Sequence, residues 1–140
     1  VFDVDDPRFL RPGDMPGRID AWCDEHGVRP PRTRAEYARA IVESLADAFA
    51  RNVHTAAQLA GVDVATIHIV GGGALNALLC QRTADRSGLV VEAGPVEATA
   101  LGNVLVQARA AGFAAGSLEA LRDLVRRTHA PLRYTPTATS

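Results

Sequence analysis

Three consecutive glycines and a nearby asparagine are the residues whose types and spacing could do chemistry in this chain. Gly71, Gly72 and Gly73 follow a short apolar run, and Asn76 comes three residues later. Glycine has no Cβ, so its backbone can approach a ligand closely, and the amides at a helix start attract phosphate. The side-chain amide of Asn76 could donate and accept hydrogen bonds with a ribose or a purine edge. These four residues therefore indicate a nucleotide site.

Two other interpretations fit the same glycines. They could simply form a tight strand-to-helix turn in which Asn76 caps a helix amide, and the triplet alone makes this about as plausible as ligand binding. They could also belong to a dinucleotide-binding unit, because Glu92 lies where such units place a ribose-binding carboxylate. That fingerprint requires glycine at positions 71, 73 and 76, and Asn76 does not meet the last requirement.

The other reactive residue types indicate no further site. All 15 basic residues are arginine, which excludes the phosphate loop that ends in Gly-Lys-Ser/Thr. Cys23 and Cys80 lack the spacing of a zinc site or a redox pair, so we expect free thiols, with Cys80 a small core residue. His68 lies in a predicted buried strand and is expected to be packed or hydrogen-bonded. We therefore predict no catalytic residue and no metal ligand within the chain.

Composition limits the class of protein. The chain has 140 residues, of which 47% are hydrophobic, enough for one core but too few residues for two ordinary domains. A formal net charge of -1 gives no excess of positive charge for binding nucleic acid. No apolar run could span a bilayer, and no signal peptide is recognisable near Val1. We predict a cytoplasmic protein that binds neither nucleic acid nor membrane.

The first part of the chain is predicted to be mainly irregular. Prolines recur through residues 1–31 and should interrupt any regular period, leaving room for a short helix near residues 19–25. The chain starts at Val1 in an acidic stretch, and we interpret it as one partial domain over residues 1–140 whose upstream segment is missing. Residues 134–140 are expected to form a frayed tail.

A long helix is predicted to follow. Thr33 and Glu36 form a capping box that can start it, and Gly61 offers a helix stop. Apolar residues recur at spacings of three and four, which is typical of one buried helix face. The apolar stripe comprises Tyr37, Ile41, Leu45, Ala48, Phe49, Val53, Ala56 and Leu59, and the opposite, solvated face comprises Glu43, Asp47 and Arg51.

The rest of the chain reads as an α/β unit rich in helices. Short strands are predicted near residues 67–70 and 88–92, with an amphipathic helix between them and two further helices after them. Two short strands are too little sheet for independent stability. We therefore expect an incomplete sheet whose missing strands lie upstream of Val1.

Four segments resemble one family of enzymes. Residues 67–76 (IHIVGGGALN) and 94–103 (GPVEATALGN) resemble the last part of rhamnulokinases, as do residues 6–16 (DPRFLRPGDMP) and 132–136 (LRYTP). The resemblance covers nearly the whole chain. Rhamnulokinases belong to the FGGY carbohydrate kinases, which share a two-domain, actin-like (ribonuclease H-like) architecture, so the chain would be the carboxyl-terminal part of such a fold.

The resemblance implies a reaction and a site. The reaction is ATP-dependent phosphorylation of L-rhamnulose at its 1-hydroxyl, which gives L-rhamnulose 1-phosphate in rhamnose catabolism. By position, Gly72 would contact the nucleotide phosphates, flanked by Gly71 and Gly73, and Asn76 would lie beside the adenosine. Leu75 departs from the family, where a polar residue is common, which puts a side-chain contact at that position in doubt.

The resemblance also implies what this segment lacks. In the family the catalytic aspartate, the sugar pocket, the other phosphate loop and the expected Mg²⁺ ligands precede it, so we expect ATP or ADP as its partner, L-rhamnulose bound mainly elsewhere, and no kinase activity from the chain alone. A related kinase for another sugar or polyol, such as xylulose, fuculose or glycerol, is the nearest alternative. A non-catalytic helical module in which the glycines only turn the chain is the other.

Overall fold

The computed structural model describes residues 1–137. Within this range the chain forms α-helices and short β-strands, with single 3₁₀ turns at Pro7–Phe9 and Gly71–Leu75. The helices are α1 (Met15–Glu25), α2 (Arg34–Ala60), α3 (Ala77–Ser87), α4 (Ala98–Ala110) and α5 (Leu118–Thr128), and the strands are β1 (Thr66–Ile69), β2 (Val90–Ala93) and β3 (Leu132–Tyr134). The prediction of a helix-rich α/β chain is confirmed.

The three strands form one small mixed sheet. Strand β2 is central: it pairs in parallel with β1, with Ile67 opposite Val91, and antiparallel with β3, with Val91 also opposite Tyr134. The predicted strands are present, shifted by one or two residues at their ends. The third strand was not predicted, and it lies downstream of the first two, so this part of the chain supplies more of the sheet than the sequence pattern indicated.

Helix α3 covers one face of this sheet and forms the main core. Small side chains line the contact, which lets the helix approach the strands closely. Cys80 and Ala84 of α3 and Val91 of β2 are completely buried, and Ile69, Ala74 and Ala93 complete the cluster. The glycine turn connects β1 to the start of α3. Because both elements belong to this core, the core positions the turn.

Helix α2 begins and ends where the sequence predicts. The Thr33 hydroxyl accepts a hydrogen bond from the Glu36 amide at its start, and Gly61 adopts a left-handed conformation (φ 64°) at its end. The predicted apolar stripe is confirmed in part as the buried face: Ala48 is buried, and Tyr37 and Ile41 pack against the buried cluster that contains Ile19. Leu59, however, is 85% exposed, and Phe49 is also exposed. The other buried residues of α2 lie outside that stripe and are Ser44, Ala46 and Ala50. The partner helix decides the buried face, and α3 offers small and charged residues to it.

Residues 1–31 contain more regular structure than predicted. Helix α1 starts at Met15, and Asp14 caps it by accepting a hydrogen bond from the Gly17 amide. Pro16 does not prevent this helix, because amides in the first turn have no helical acceptor to lose. Phe2, Ile19 and Cys23 form a second buried cluster that packs against α2. The short helix predicted near residues 19–25 is present and begins four residues earlier than predicted, and the rest of residues 1–31 contains one 3₁₀ turn, Pro7–Phe9.

The end of the described chain is held against α3. The Gln81 side chain donates to the Thr135 carbonyl (2.9 Å), and Asp85 Oδ1 accepts from both the amide (3.0 Å) and the hydroxyl (2.7 Å) of Thr137. Tyr134 lies in β3. The predicted frayed tail is wrong over residues 134–137, and residues 138–140 of that prediction lie outside the described residues.

Helices α4 and α5 pack more loosely. Helix α4 contains no buried residue, and a Cβ at Gly102 would meet no atom of the described chain within 4 Å. The close packing that an interior glycine suggests is therefore not found among these residues. Val104 and Phe113 are exposed. Across residues 1–137, none of the helices combines the length and the apolar character needed to cross a membrane.

Candidate functional site

The glycine turn is anchored between the two parallel strands. Gly71 has a φ of +74°, a conformation that other residues adopt only at a cost of roughly 1–2 kcal/mol. Its amide donates to the Pro95 carbonyl (3.3 Å), while the Gly94 amide donates to the Ile69 carbonyl (2.8 Å). These two bonds tie the turn to the segment that follows β2. Gly71 is therefore required by the shape of the backbone itself.

Gly72 differs from its neighbours because it is open to solvent. A Cβ at this position would meet no atom of residues 1–137 within 4 Å, whereas a Cβ at Gly73 would touch Ile69 at 3.5 Å. The Gly72 amide is the second of the 3₁₀ turn, so it has no acceptor within the turn. Within the described part of the chain, no side chain caps this turn. Gly72 is also exposed, so its amide is a donor that a phosphate oxygen could accept from.

Asn76 is the N-cap of α3. Its Oδ1 accepts a hydrogen bond from the Leu79 amide (3.0 Å), and since a backbone N–H can only donate, this contact fixes which end of the side chain is oxygen. The Nδ2 group is consequently the end that faces away from the cap. The capping role considered in the sequence analysis is confirmed, and a contact between Asn76 and a ligand stays a prediction in which Asn76 would donate.

A groove opens beside Asn76, between the start of α2 and the start of α3. Its volume is about 800 Å³, within the usual range of small-molecule sites. The residues of this groove were not predicted from the sequence, in which the only local signal is the proline pair just before the α2 capping box. Its walls are mostly apolar and include Pro30, Pro31, Ala38, Val42 and Leu78.

A charge cluster joins α2 to α3 next to this groove. Glu43 accepts hydrogen bonds from Arg39 (2.9 Å) and Arg86 (2.8 Å). Arg82 Nε lies 3.0 Å from the same carboxylate but is not aligned for a hydrogen bond, so that contact is an ion pair only. Burial acts to raise the pKa of Glu43, yet the bonds from Arg86 and Arg39 outweigh it and the pKa is lowered. The predicted solvated face is wrong here, because the Glu43 side chain is only 16% exposed.

Outside this region, the described residues form no second reactive centre. Cys23 and Cys80 are both free and buried, as predicted, and burial raises the pKa of each thiol. His68 is exposed, contrary to the prediction, since α3 covers only the opposite face of the sheet; its Nδ1 lies 3.6 Å from the Glu92 carboxylate. In residues 1–137 no group of three or more His, Cys, Asp or Glu side chains is arranged to hold a metal ion.

The amino-acid sequence of this chain matches one known protein family. The sequence model for the C-terminal domain of the FGGY family of carbohydrate kinases matches residues 1–111. This chain belongs to that family. Its members are ATP-dependent sugar phosphotransferases with an actin-like fold, so the predicted family and fold class are confirmed. The match also removes the dinucleotide-binding alternative for this FGGY domain.

Two individual relatives show which members of the family this chain is similar to. The rhamnulokinase of Enterococcus faecalis is 46% identical over 112 residues, which are 79% of this chain and 23% of the relative. The rhamnulokinase of Klebsiella pneumoniae subsp. pneumoniae is 40% identical over 136 residues, which are 97% of this chain and 28% of the relative. The FGGY domain described here therefore spans about a quarter of the length of these relatives.

Proposed function

We propose that this chain is the nucleotide-binding part of a rhamnulokinase. The whole enzyme would transfer the γ-phosphate of ATP to the 1-hydroxyl of L-rhamnulose and release L-rhamnulose 1-phosphate and ADP. The similarity to relatives that carry the name rhamnulokinase, at 40–46% identity, supports this choice. Residues 1–140 would form one partial domain of that enzyme, in the cytoplasm.

One observation carries the proposed site: the accessible Gly72 amide lies four residues before Asn76, where the groove begins. We propose that the phosphates lie at Gly72, in the space that a Cβ would otherwise occupy, flanked by Gly71 and Gly73. The adenosine would extend past Asn76 into the apolar groove. Asn76 would donate through Nδ2 to a ribose or purine acceptor, since its oxygen is used by the helix cap.

The role of this segment would be to bind and orient the nucleotide. Phosphoryl transfer depends mainly on positioning and on stabilising charge, and closure of the enzyme around the groove would exclude water from the transferred group. The catalytic aspartate, the sugar pocket, the second phosphate loop and the Mg²⁺ ligands would lie in other parts of the enzyme. Mg²⁺, when bound, neutralises charge on the phosphates. We expect no kinase activity from residues 1–140 alone.

Two measurements test this function. The first is calorimetric titration of the 140-residue chain with ATP, after circular dichroism has established that it is folded. The second is a chimaera in which this chain replaces the matched 136-residue segment of the Klebsiella rhamnulokinase, assayed for L-rhamnulose-dependent release of ADP. We expect ATP binding in the first and turnover in the second. A folded chain that does not bind ATP would refute the proposed function and would favour a non-catalytic helical module.

A related kinase for another sugar or polyol is the second candidate, because the family match covers carbohydrate kinases in general. Xylulose, fuculose and glycerol are the substrates considered. The chimaera cannot distinguish these substrates, since its sugar preference should follow the Klebsiella part. The assay that does so is a substrate comparison on a kinase in which this segment is joined to its own sugar-binding part.

A further inference from the structure

Arg39 is the one strongly basic side chain of α2 that lines the groove beside Asn76. Its side chain is 52% exposed, and its Nε donates to Glu43 at 2.9 Å. Its two terminal nitrogens make no hydrogen bond to any of residues 1–137. The guanidinium therefore has one fixed edge, and its plane and remaining donors are available to a molecule in the groove.

Glu43 holds the Nε edge of the Arg39 guanidinium in place and also contacts α3, which forms the other wall of the groove. The same carboxylate accepts from Arg86 and pairs with Arg82, both on α3. Helix α3 begins at the Asn76 cap, so the contact to Arg39 and the position of Asn76 depend on one connected unit. A planar cation that is fixed in this way loses less side-chain entropy when a ligand stacks against it.

The chemistry of the groove indicates which part of a nucleotide Arg39 would meet. The surrounding walls are mostly apolar, and the other two charged side chains that line the groove, Arg29 and Glu36, are paired with each other at 3.6 Å. Mostly apolar walls suit a purine base better than a charged phosphate. Guanidinium planes stack on aromatic rings because they are delocalised and weakly hydrated.

We propose that Arg39 binds the base of the nucleotide by stacking its guanidinium on the purine ring, and that Glu43 is the positioning residue that holds Arg39 for this contact. This inference rests on the proposed function and deepens it. It adds a base-binding residue to the glycine turn and Asn76, and it gives the charge cluster between α2 and α3 a role in ligand binding.

The test compares Arg39→Ala, Arg39→Lys and the matched control Arg51→Ala in the 140-residue chain. Arg51 is also on α2, is 49% exposed and is also paired with an acidic residue four positions away, Asp47, but it does not line the groove. Each variant is titrated with ATP and, separately, with adenosine, which has the base but no phosphate. Circular dichroism verifies that each variant is folded.

Stacking predicts that Arg39→Ala weakens binding of ATP and of adenosine by the same factor, roughly 3- to 30-fold. Arg39→Lys should recover only part of this loss, because it keeps the charge and loses the plane, and Arg51→Ala should leave both affinities unchanged. Weakened ATP binding with unchanged adenosine binding would assign Arg39 to the phosphates and overturn the proposal. Unchanged binding in Arg39→Ala, or equal weakening in Arg51→Ala, would also overturn it.

The positioning role of Glu43 is tested in the chimaera by Glu43→Gln. Because an amide holds the guanidinium less firmly than a carboxylate, we expect a higher KM for ATP, with kcat unchanged and Glu43→Asp closer to the parent. A purely structural role would instead lower kcat through a smaller folded fraction and leave KM unchanged, which would contradict the assignment. If the parent chain binds no ATP, the proposed function itself fails; if the parent binds and the Arg39 variants match it, only this inference fails.

Discussion

Replacing Asn76 separates its role in the fold from its proposed role with the nucleotide. Asn76→Asp keeps an oxygen for the Leu79 amide, because asparagine and aspartate cap helices about equally well. It replaces the Nδ2 donor with a second, charged oxygen. Asn76→Ala removes both the cap and the donor. The two variants should therefore differ in stability while both weaken nucleotide binding.

The magnitudes follow from the observed contacts. The cap bond is 3.0 Å long, and losing an N-cap to alanine costs about 1 kcal/mol, which lowers Tm by roughly 3–5 °C in a chain of this size. Asn76→Asp should stay within about 1 °C of the parent. Loss of one donated hydrogen bond weakens binding by roughly 2- to 10-fold, and repulsion between the new carboxylate and the triphosphate should add to this.

Thermal unfolding followed by circular dichroism and titration with ATP measure the two effects. Ser117→Ala is the matched control, since Ser117 caps a helix of the same length, 11 residues, by accepting from the Ala120 amide, and it is distant in sequence from the groove. It should lose helix stability and keep ATP affinity. If Asn76→Asp binds ATP as tightly as the parent, the proposed donor contact is wrong. If it unfolds as early as Asn76→Ala, the assignment of the cap oxygen is wrong.

Four further predictions concern the turn, the charge cluster and the end of the chain. Gly72→Val should leave Tm nearly unchanged and weaken ATP binding at least about 10-fold, because its Cβ has open space in which we place the phosphates; Gly71→Ala should lose about 1–2 kcal/mol in urea unfolding, because φ is +74°. Glu43→Ala should cost roughly 1–3 kcal/mol in the same assay, since it leaves Arg86 without its 2.8 Å partner. The Thr137 bonds, first among the causes, lower the pKa of Asp85. Their stabilisation is therefore present above the unfolded pKa near 4 and is lost as pH falls through the lower folded value. The protection factor of the Thr137 amide, which compares its exchange with that of an unstructured amide at the same pH, should fall at acid pH, and Asp85→Asn should remove this pH dependence.

The sequence could predict most of the glycine turn because its features are local. A β-branched run, three glycines and a helix-forming segment follow one another directly, so the strand, the turn and α3 could be placed from residue types alone. The capping box of α2 and its glycine stop are local for the same reason. A nucleotide contact at Gly71, Gly72, Gly73 and Asn76 stays a prediction, which the titrations above test.

The groove and the charge cluster could not be predicted, because they join parts of the chain that are far apart. Arg86 meets Glu43 from 43 residues away, and the proline pair before α2 faces Leu78 across the groove. The same periodicity that predicted a solvated face for Glu43 fits an interface equally well, since the pattern on one helix does not show what lies against it.

By itself, the sequence determined the family, the α/β class, the helix caps and the glycine turn, since each depends on neighbouring residues or on short motifs. Only the tertiary structure decided which face of α2 is buried, that residues 132–134 add a strand, and that Asn76 uses its oxygen within the fold. The physical reason is that burial and hydrogen-bond partners depend on segments that are far apart in the sequence. The residue pattern of one segment does not show which other segment packs against it.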